Sequence, residues 1–143
     1  HNPKILFLDE PTVGLDTLTR RAIWNDIKQL RSSGKTIILT THYIEEAQML
    51  SDQVLIINKG KKLIEDAPNI LINKLGKITV EYQENNKTAY KFFNTTREAK
   101  VFSANLNDLN SIFIRETNLE DVFLTITGNG GEQYCNSLEK CLP

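Results

Sequence analysis

Residues 5–8, Ile-Leu-Phe-Leu, run without a break into two adjacent carboxylates, Asp9 and Glu10, and then a proline. A continuous apolar run after Lys4 is the pattern of a strand buried on both faces. Pro11 has no N–H for a ladder, so the strand must stop at the acids. Residues 12–15 then read as a loop containing Gly14. Beyond it, Ile23, Ile27 and Leu30 recur at helical spacing on a segment that Asp16 or Thr17 can cap and that runs to about Arg31. Gly34 is placed to end that helix. A second apolar, β-branched strand, 36–40, closes in Thr41 and His42. Strand, helix and strand in that order predict a parallel pair with a right-handed crossover. Chemistry in such a layer belongs at the carboxyl ends of the strands, and Asp9, Glu10 and His42 all fall there.

The pattern continues with a short helix over 43–50, whose Glu45 and Glu46 suit the positive end of the helix dipole. Residues 53–58 and 61–65 flank Lys59-Gly60 as a hairpin would, and 67–75 reads as a helix closed by Gly76. Composition then shifts towards Asn, Thr and aromatics. A hairpin of 78–83 with 88–93 across the polar turn 84–87 is expected. A helix near 97–106, a strand at 111–115 and a helix at 119–126 follow it. These readings set a domain boundary near residue 76. Residues 1–76 form an α/β layer, 77–127 a small α+β accessory domain, and 128–143, opening Gly-Asn-Gly-Gly, a flexible tail.

Charge and composition narrow the function. A formal net charge of -1 offers no basic field for nucleic acid and no polybasic patch for a membrane surface. The longest aliphatic runs fall far short of the ~20 apolar residues of a spanning helix, and no secretory signal opens the chain. We therefore expect a soluble, cytoplasmic protein that meets a membrane only through a partner. Cys135 and Cys141, with no histidine or second pair nearby, read as free thiols, not as a zinc site. The sequons at Asn86 and Asn94 mean nothing in such a setting. The chain starts with His1 and its one methionine is Met49, inside an expected helix. It is thus expected to be a fragment, a processed product or the product of a partial gene model.

Two negative charges ending a buried strand are costly unless a cation or a proton compensates them. Taken alone, Asp-Glu is equally well a solvated acidic turn. The flanking residues change that balance. Asp9-Glu10-Pro11-Thr12, then Gly14-Leu15-Asp16, then Thr40-Thr41-His42 one strand–helix–strand unit later, resemble the ABC ATPase family as an ordered set. So does the run from Ser51 to Gly60. The segment from Asn118 to Gly128 resembles the closing part of the drug- and antibiotic-exporter type of that family, and it reads as an amphipathic helix with Leu119, Val122, Phe123 and Ile126 on one face.

The resemblance implies a partial P-loop NTPase parallel sheet with flanking helices, followed by the accessory domain. It implies ATP as substrate and Mg²⁺ as cofactor. Asp9 then matches the residue on the ion's shell, Glu10 the catalytic carboxylate, His42 the histidine that contacts the γ-phosphate, and Asp16 the dimer interface beside the partner's ATP. An imidazole N–H aimed at phosphoryl oxygens stabilises charge that gathers in the transition state. The blander reading of Asp16 is an N-cap for the helix after it, and the two are compatible. The implied partners are a transmembrane permease and a second ATPase subunit, with no nucleic acid. The implied place is the inner face of the cell membrane.

Gly34-Lys35-Thr36 matches the last three letters of the phosphate loop G-x-x-x-x-G-K-[ST] but has Gln29 where the first glycine belongs. It also closes a helix and opens a strand, the reverse of a phosphate loop. No phosphate loop, glutamine loop or Leu-Ser-Gly-Gly signature occurs in the 143 residues, so the isolated chain is expected to be inactive. Two other readings stand beside the exporter: a soluble ABC-type ATPase of translation or DNA repair, and a non-catalytic dimerisation remnant.

Overall fold

A computed structural model describes residues 3–84, 87–106 and 112–127. The tail reading for 128–143, both cysteines and the centre of the turn at 84–87 lie outside them. The chain divides into two compact units, His1–Asp52 and Gln53–Pro143.

In the first unit, β1 (Ile5–Asp9) and β2 (Thr36–Thr40) pair in parallel, with Ile5 opposite Thr36 and Asp9 opposite Thr40. They are joined by α1 (Thr17–Ser32) and followed by α2 (Ile44–Leu50). Trp24 and Ile27 of α1 and Leu50 of α2 form the buried centre, against which Leu8, Ile23, Ile37 and Leu39 pack. Burying each large side chain contributes about 1.5–3 kcal/mol, so three of them anchor one face of the strand pair. The expectation of strands buried on both faces is corrected here. Burial alternates along β1 and β2, and Ile5, Phe7 and Ile38 are exposed, Phe7 at 74%. The helix core covers one face, and among the described residues β1 and β2 form a sheet of two strands.

The second unit opens with β3 (Val54–Asn58) and β4 (Lys61–Asp66), an antiparallel hairpin. Its two loop residues, Lys59 and Gly60, both have positive φ, 49° and 73°, as a two-residue type I′ turn requires. After α3 (Pro68–Leu75) comes a three-stranded antiparallel sheet. Its centre is β5 (Ile78–Glu84), flanked by β6 (Lys87–Phe93) and β7 (Phe113–Glu116). The remaining helices are α4 (Thr96–Ala104) and α5 (Leu119–Thr127). Pro68 fits the first turn of α3, where its missing N–H costs nothing. Gly76 ends α3 at φ 142°, and a Cβ there would stand 3.1 Å from Phe92 and Phe93 atoms. Val54 and Ile56 of β3 are buried, as are Leu71, Val80, Ala89, Ala99, Leu119 and Val122 in the later elements.

The first unit is α/β and the second α+β, in keeping with the expected fold class. Element ends differ from the sequence reading by a residue or two: the helix near 97–106 is Thr96–Ala104 and the strand at 111–115 is Phe113–Glu116.

Candidate functional site

The carboxyl ends of β1 and β2 are stitched together residue by residue. In the parallel register Asp9 faces Thr40, whose hydroxyl donates to the Asp9 carboxylate. One residue on, the Glu10 N–H donates to the Thr40 carbonyl at 2.9 Å. This bond is made with Glu10 at φ 44°, in the left-handed region. A non-glycine residue held there stores strain of order 1–3 kcal/mol, which persists only where the surroundings enforce it. Downstream, Val13 N–H donates to Glu10 O at 3.2 Å and Leu15 N–H to Thr12 O at 3.2 Å, with Gly14 at φ 77° completing the turn.

That backbone aims Glu10 at the histidine. His42 Nδ1 lies 3.3 Å from Glu10 Oε1, and both side chains are about half exposed. The turn that carries His42 is closed by the Tyr43 N–H donating to Thr41 Oγ1 at 3.0 Å. The His42 ring stacks on Tyr43 at 4.2 Å between centroids, and the Arg20 guanidinium lies over Tyr43 at 4.7 Å. A helix residue thereby braces the imidazole from behind through an aromatic ring. Glu10 and His42 are brought together, and Asp9 stands beside them on the strand end. The juxtaposition offers a water molecule or a cation two carboxylate acceptors beside an imidazole at one lip of the sheet.

Asp16 has a different local job. Its carboxylate caps α1, accepting from Leu18 N–H at 2.9 Å, Thr19 N–H at 3.1 Å and the Thr19 hydroxyl at 2.6 Å. The Thr19 hydroxyl and then the Thr19 amide hold this carboxyl below the usual carboxylate range. Among the described residues no hydrogen bond links Asp16 to Asp9, Glu10 or His42.

The sequence reading missed Glu46. It was read as an acid facing the helix dipole, yet it is fully buried, and its Oε1 accepts from Thr12 Oγ1 at 2.8 Å and from Trp24 Nε1 at 2.9 Å. The only signal for it in the sequence is its position four residues after His42, in the first turn of α2.

A magnesium–nucleotide fits the chemistry of these groups. Mg²⁺ is typically held by one or two carboxylates together with waters and phosphate oxygens. Asp9 supplies an exposed carboxylate of that kind. No group of three or more His, Cys, Asp and Glu among the described residues could cage a metal by itself. Gly34-Lys35-Thr36 offers no second site. Gly34 N–H donates to Arg31 O at 3.0 Å to finish α1, and Lys35 Nζ donates to Pro3 O at 2.9 Å.

No family model matches the chain. The chain is similar to Nod factor export ATP-binding protein I of Cupriavidus pinatubonensis, 35% identical over 90% of this chain and 45% of that protein. Proteins of the same name from Sinorhizobium fredii and Bradyrhizobium diazoefficiens are 32% and 33% identical, over 90% and 93% of this chain and 43% and 50% of theirs. A solved structure titled as the ATP-binding subunit of an ABC transporter superposes with a TM-score of 0.46 at 25% identity, over 51% of this chain and 30% of that one. The chain spans about half the length of the curated relatives it matches. Over nine-tenths of its length, it is homologous to ATP-binding subunits of ABC transporters.

Proposed function

We propose that the chain is the hydrolytic part of the ATP-binding subunit of an ABC-type exporter. The observation that carries this reading is the 3.3 Å approach of His42 Nδ1 to Glu10 Oε1 at the carboxyl end of a parallel strand pair. Glu10 orients the attacking water and accepts its proton. His42 contacts the γ-phosphate, with its imidazole N–H towards the oxygens where charge accumulates. Asp9, steadied by Thr40, is the residue that would hold Mg²⁺, which draws charge from the transferring phosphoryl group when bound. Asp16 keeps its capping role and presents the loop before α1 to a second ATPase subunit.

The partners in this reading are that second subunit and a membrane permease, and the place is the cytoplasmic face of the membrane. No helix among the described residues is long and apolar enough to cross a membrane, so attachment falls to the permease. The export class rests on the names of the similar proteins and on the segment from Asn118 to Gly128. We keep the functional boundary near residue 76, because the motif run from Ser51 to Gly60 belongs with the motifs before it. The exposed apolar face of Ile5, Phe7 and Ile38 also supports a longer working protein, in which further chain would cover that face.

The test is the ATPase rate of a protein joining this chain to the phosphate-binding segment of a relative. Glu10→Gln keeps the shape and removes the base, so turnover should fall roughly 10²–10⁴-fold. An unchanged rate would remove Glu10 from this role.

A further inference from the structure

Glu46 is the most deeply buried ionisable group near the site, and no step of the hydrolysis uses it. One of its oxygens is also poorly served. Oε1 takes both hydrogen bonds, from Thr12 and Trp24, while Oε2 is buried with no hydrogen-bond partner among the described residues. Were packing the only purpose, an apolar side chain would fill this place without burying an unsatisfied oxygen. The carboxyl therefore calls for a role that packing does not supply.

Its partners indicate which. Thr12 lies two residues after Glu10, and Glu46 lies four residues after His42. The Thr12–Glu46 bond is thus a cross-link between the loop that carries Glu10 and the helix that follows His42. It runs alongside the exposed Glu10–His42 contact and the Glu10 N–H to Thr40 O bond. The exposed contact is open to water, but this one is sealed. Thr12 and Glu46 are both 0% exposed, and Trp24 of α1 locks the carboxyl from a third element. The geometry points to Glu46 as a positioning residue: its buried oxygen ties the two loops so that Glu10 and His42 stay in register. This deepens the hydrolytic reading and rests on it for the purpose of that register, while the tie itself is independent of nucleotide.

Since one oxygen makes both bonds, glutamine can replace the acid and alanine cannot. The experiment is residue-resolved amide exchange by NMR on the 143-residue chain and its Glu46→Gln, Glu46→Ala and Thr12→Val variants. The Glu10 amide reports the register, the remaining β1 amides report the fold, and Trp24, the chain's one tryptophan, reports through its indole N–H resonance. In Glu46→Ala the Glu10 amide should exchange roughly tenfold faster relative to the β1 amides, and the indole resonance should move. Thr12→Val should speed Glu10 exchange and leave the indole resonance in place, because only the loop tie is cut. Glu46→Gln should stay close to the parent in both readouts. Should Glu46→Ala fail to fold, Thr12→Val and Glu46→Gln decide the matter. Glu10 exchanging in step with β1 in every folded variant would make Glu46 a core residue alone and overturn the proposal. So would a Glu46→Gln variant that loosens Glu10. Neither result touches the hydrolytic reading, which stands or falls on Glu10→Gln turnover.

Discussion

Asp16 shows how one carboxylate can fasten the start of a helix. Three hydrogen bonds from the first turn of α1 converge on it, and they hold its pKa below the ordinary aspartate value of 3.8. The linkage has a definite sign. The unfolded chain takes up the proton first as pH falls, so the cap contributes fully above the unfolded pKa and is lost as pH drops through the lower folded pKa. Asp66, lowered by its hydrogen bond from Lys74, follows the same sign. Asn caps helices about as well as Asp but does not titrate. Asp16→Asn should therefore keep most of the stability near neutrality and flatten its decline below about pH 4. Urea titrations followed by Trp24 fluorescence, at neutral pH and at pH 3, would measure this. An equal acid decline in variant and parent would take Asp16 out of the account. Glu10 shows the opposite economy, a residue held at φ 44° against its own preference because Thr40 and the turn enforce it.

At the scale of elements, the second unit is held by a polar knot that its sequence disguises. Asp121 on α5 is 1% exposed, and Arg115 of β7 grips its two oxygens at 2.7 Å each. It also accepts from Thr79 Oγ1 of β5 at 3.1 Å and from the Asn118 N–H at 3.0 Å, while Asn118 Oδ1 takes the Asp121 N–H at 3.0 Å. Strand centre, edge strand and helix start thus meet at one carboxylate. Breaking a buried ion pair typically costs about 3–5 kcal/mol, and the half-exposed Arg115 places this one at the lower end, since its freed charge can turn to water. Asp121→Ala should therefore cost about 3 kcal/mol. That corresponds to a fall of roughly 12–24 °C for a unit of this size. Thermal melting followed by far-UV circular dichroism measures it, and a loss under about 1 kcal/mol would mean the knot is not what holds these elements. The same helix marks what the sequence could say. Periodicity found α5 and placed Leu119 and Val122 inward, as they are, but it also put Phe123 and Ile126 on that face. In the structure Asp121 and Thr125 are buried beside Leu119 and Val122, while Phe123 and Ile126 are half-buried. A hydrophobic pattern cannot register an inward acid whose cation lies on another element. For the same reason Glu46 reads from sequence only as an acid that suits the helix dipole, its partners Thr12 and Trp24 being 34 and 22 residues away. Asp9, Glu10 and His42 are legible as a group because each falls at the end of an apolar strand or within two residues of it, so chain order alone brings them to one edge.

In the proposed reading, Asp9, Glu10 and His42 split a phosphate, while the 143-residue sequence carries no phosphate-loop motif to cradle one. The strands that carry Asp9, Glu10 and His42 read as interior strands of a larger sheet, yet Phe7 is 74% exposed and β1 and β2 pair only with each other among the described residues. A nucleotide triphosphate is gripped mainly by oriented backbone N–H groups and a lysine, which neutralise its charge. The site here presents two carboxylates and a half-exposed imidazole instead. Without a cradle, the negative phosphates meet negative side chains, and Mg²⁺ would have to offset that repulsion through Asp9 with little help. Micromolar affinity requires about 8 kcal/mol and millimolar about 4. One carboxylate–ion contact and one imidazole hydrogen bond, the latter worth about 0.5–1.5 kcal/mol net, leave the total nearer the weaker figure. The isolated 143-residue chain should accordingly show no saturable heat with Mg-ATP in calorimetry below about 1 mM. Joined to a phosphate-binding segment of a relative, the same residues should bind in the micromolar range, and Asp9→Asn in that joined protein should weaken Mg-ATP more than it weakens ATP in chelator. Micromolar binding by the chain alone would show that it contains a phosphate site of its own, and the division between holding and splitting ATP would have to be redrawn.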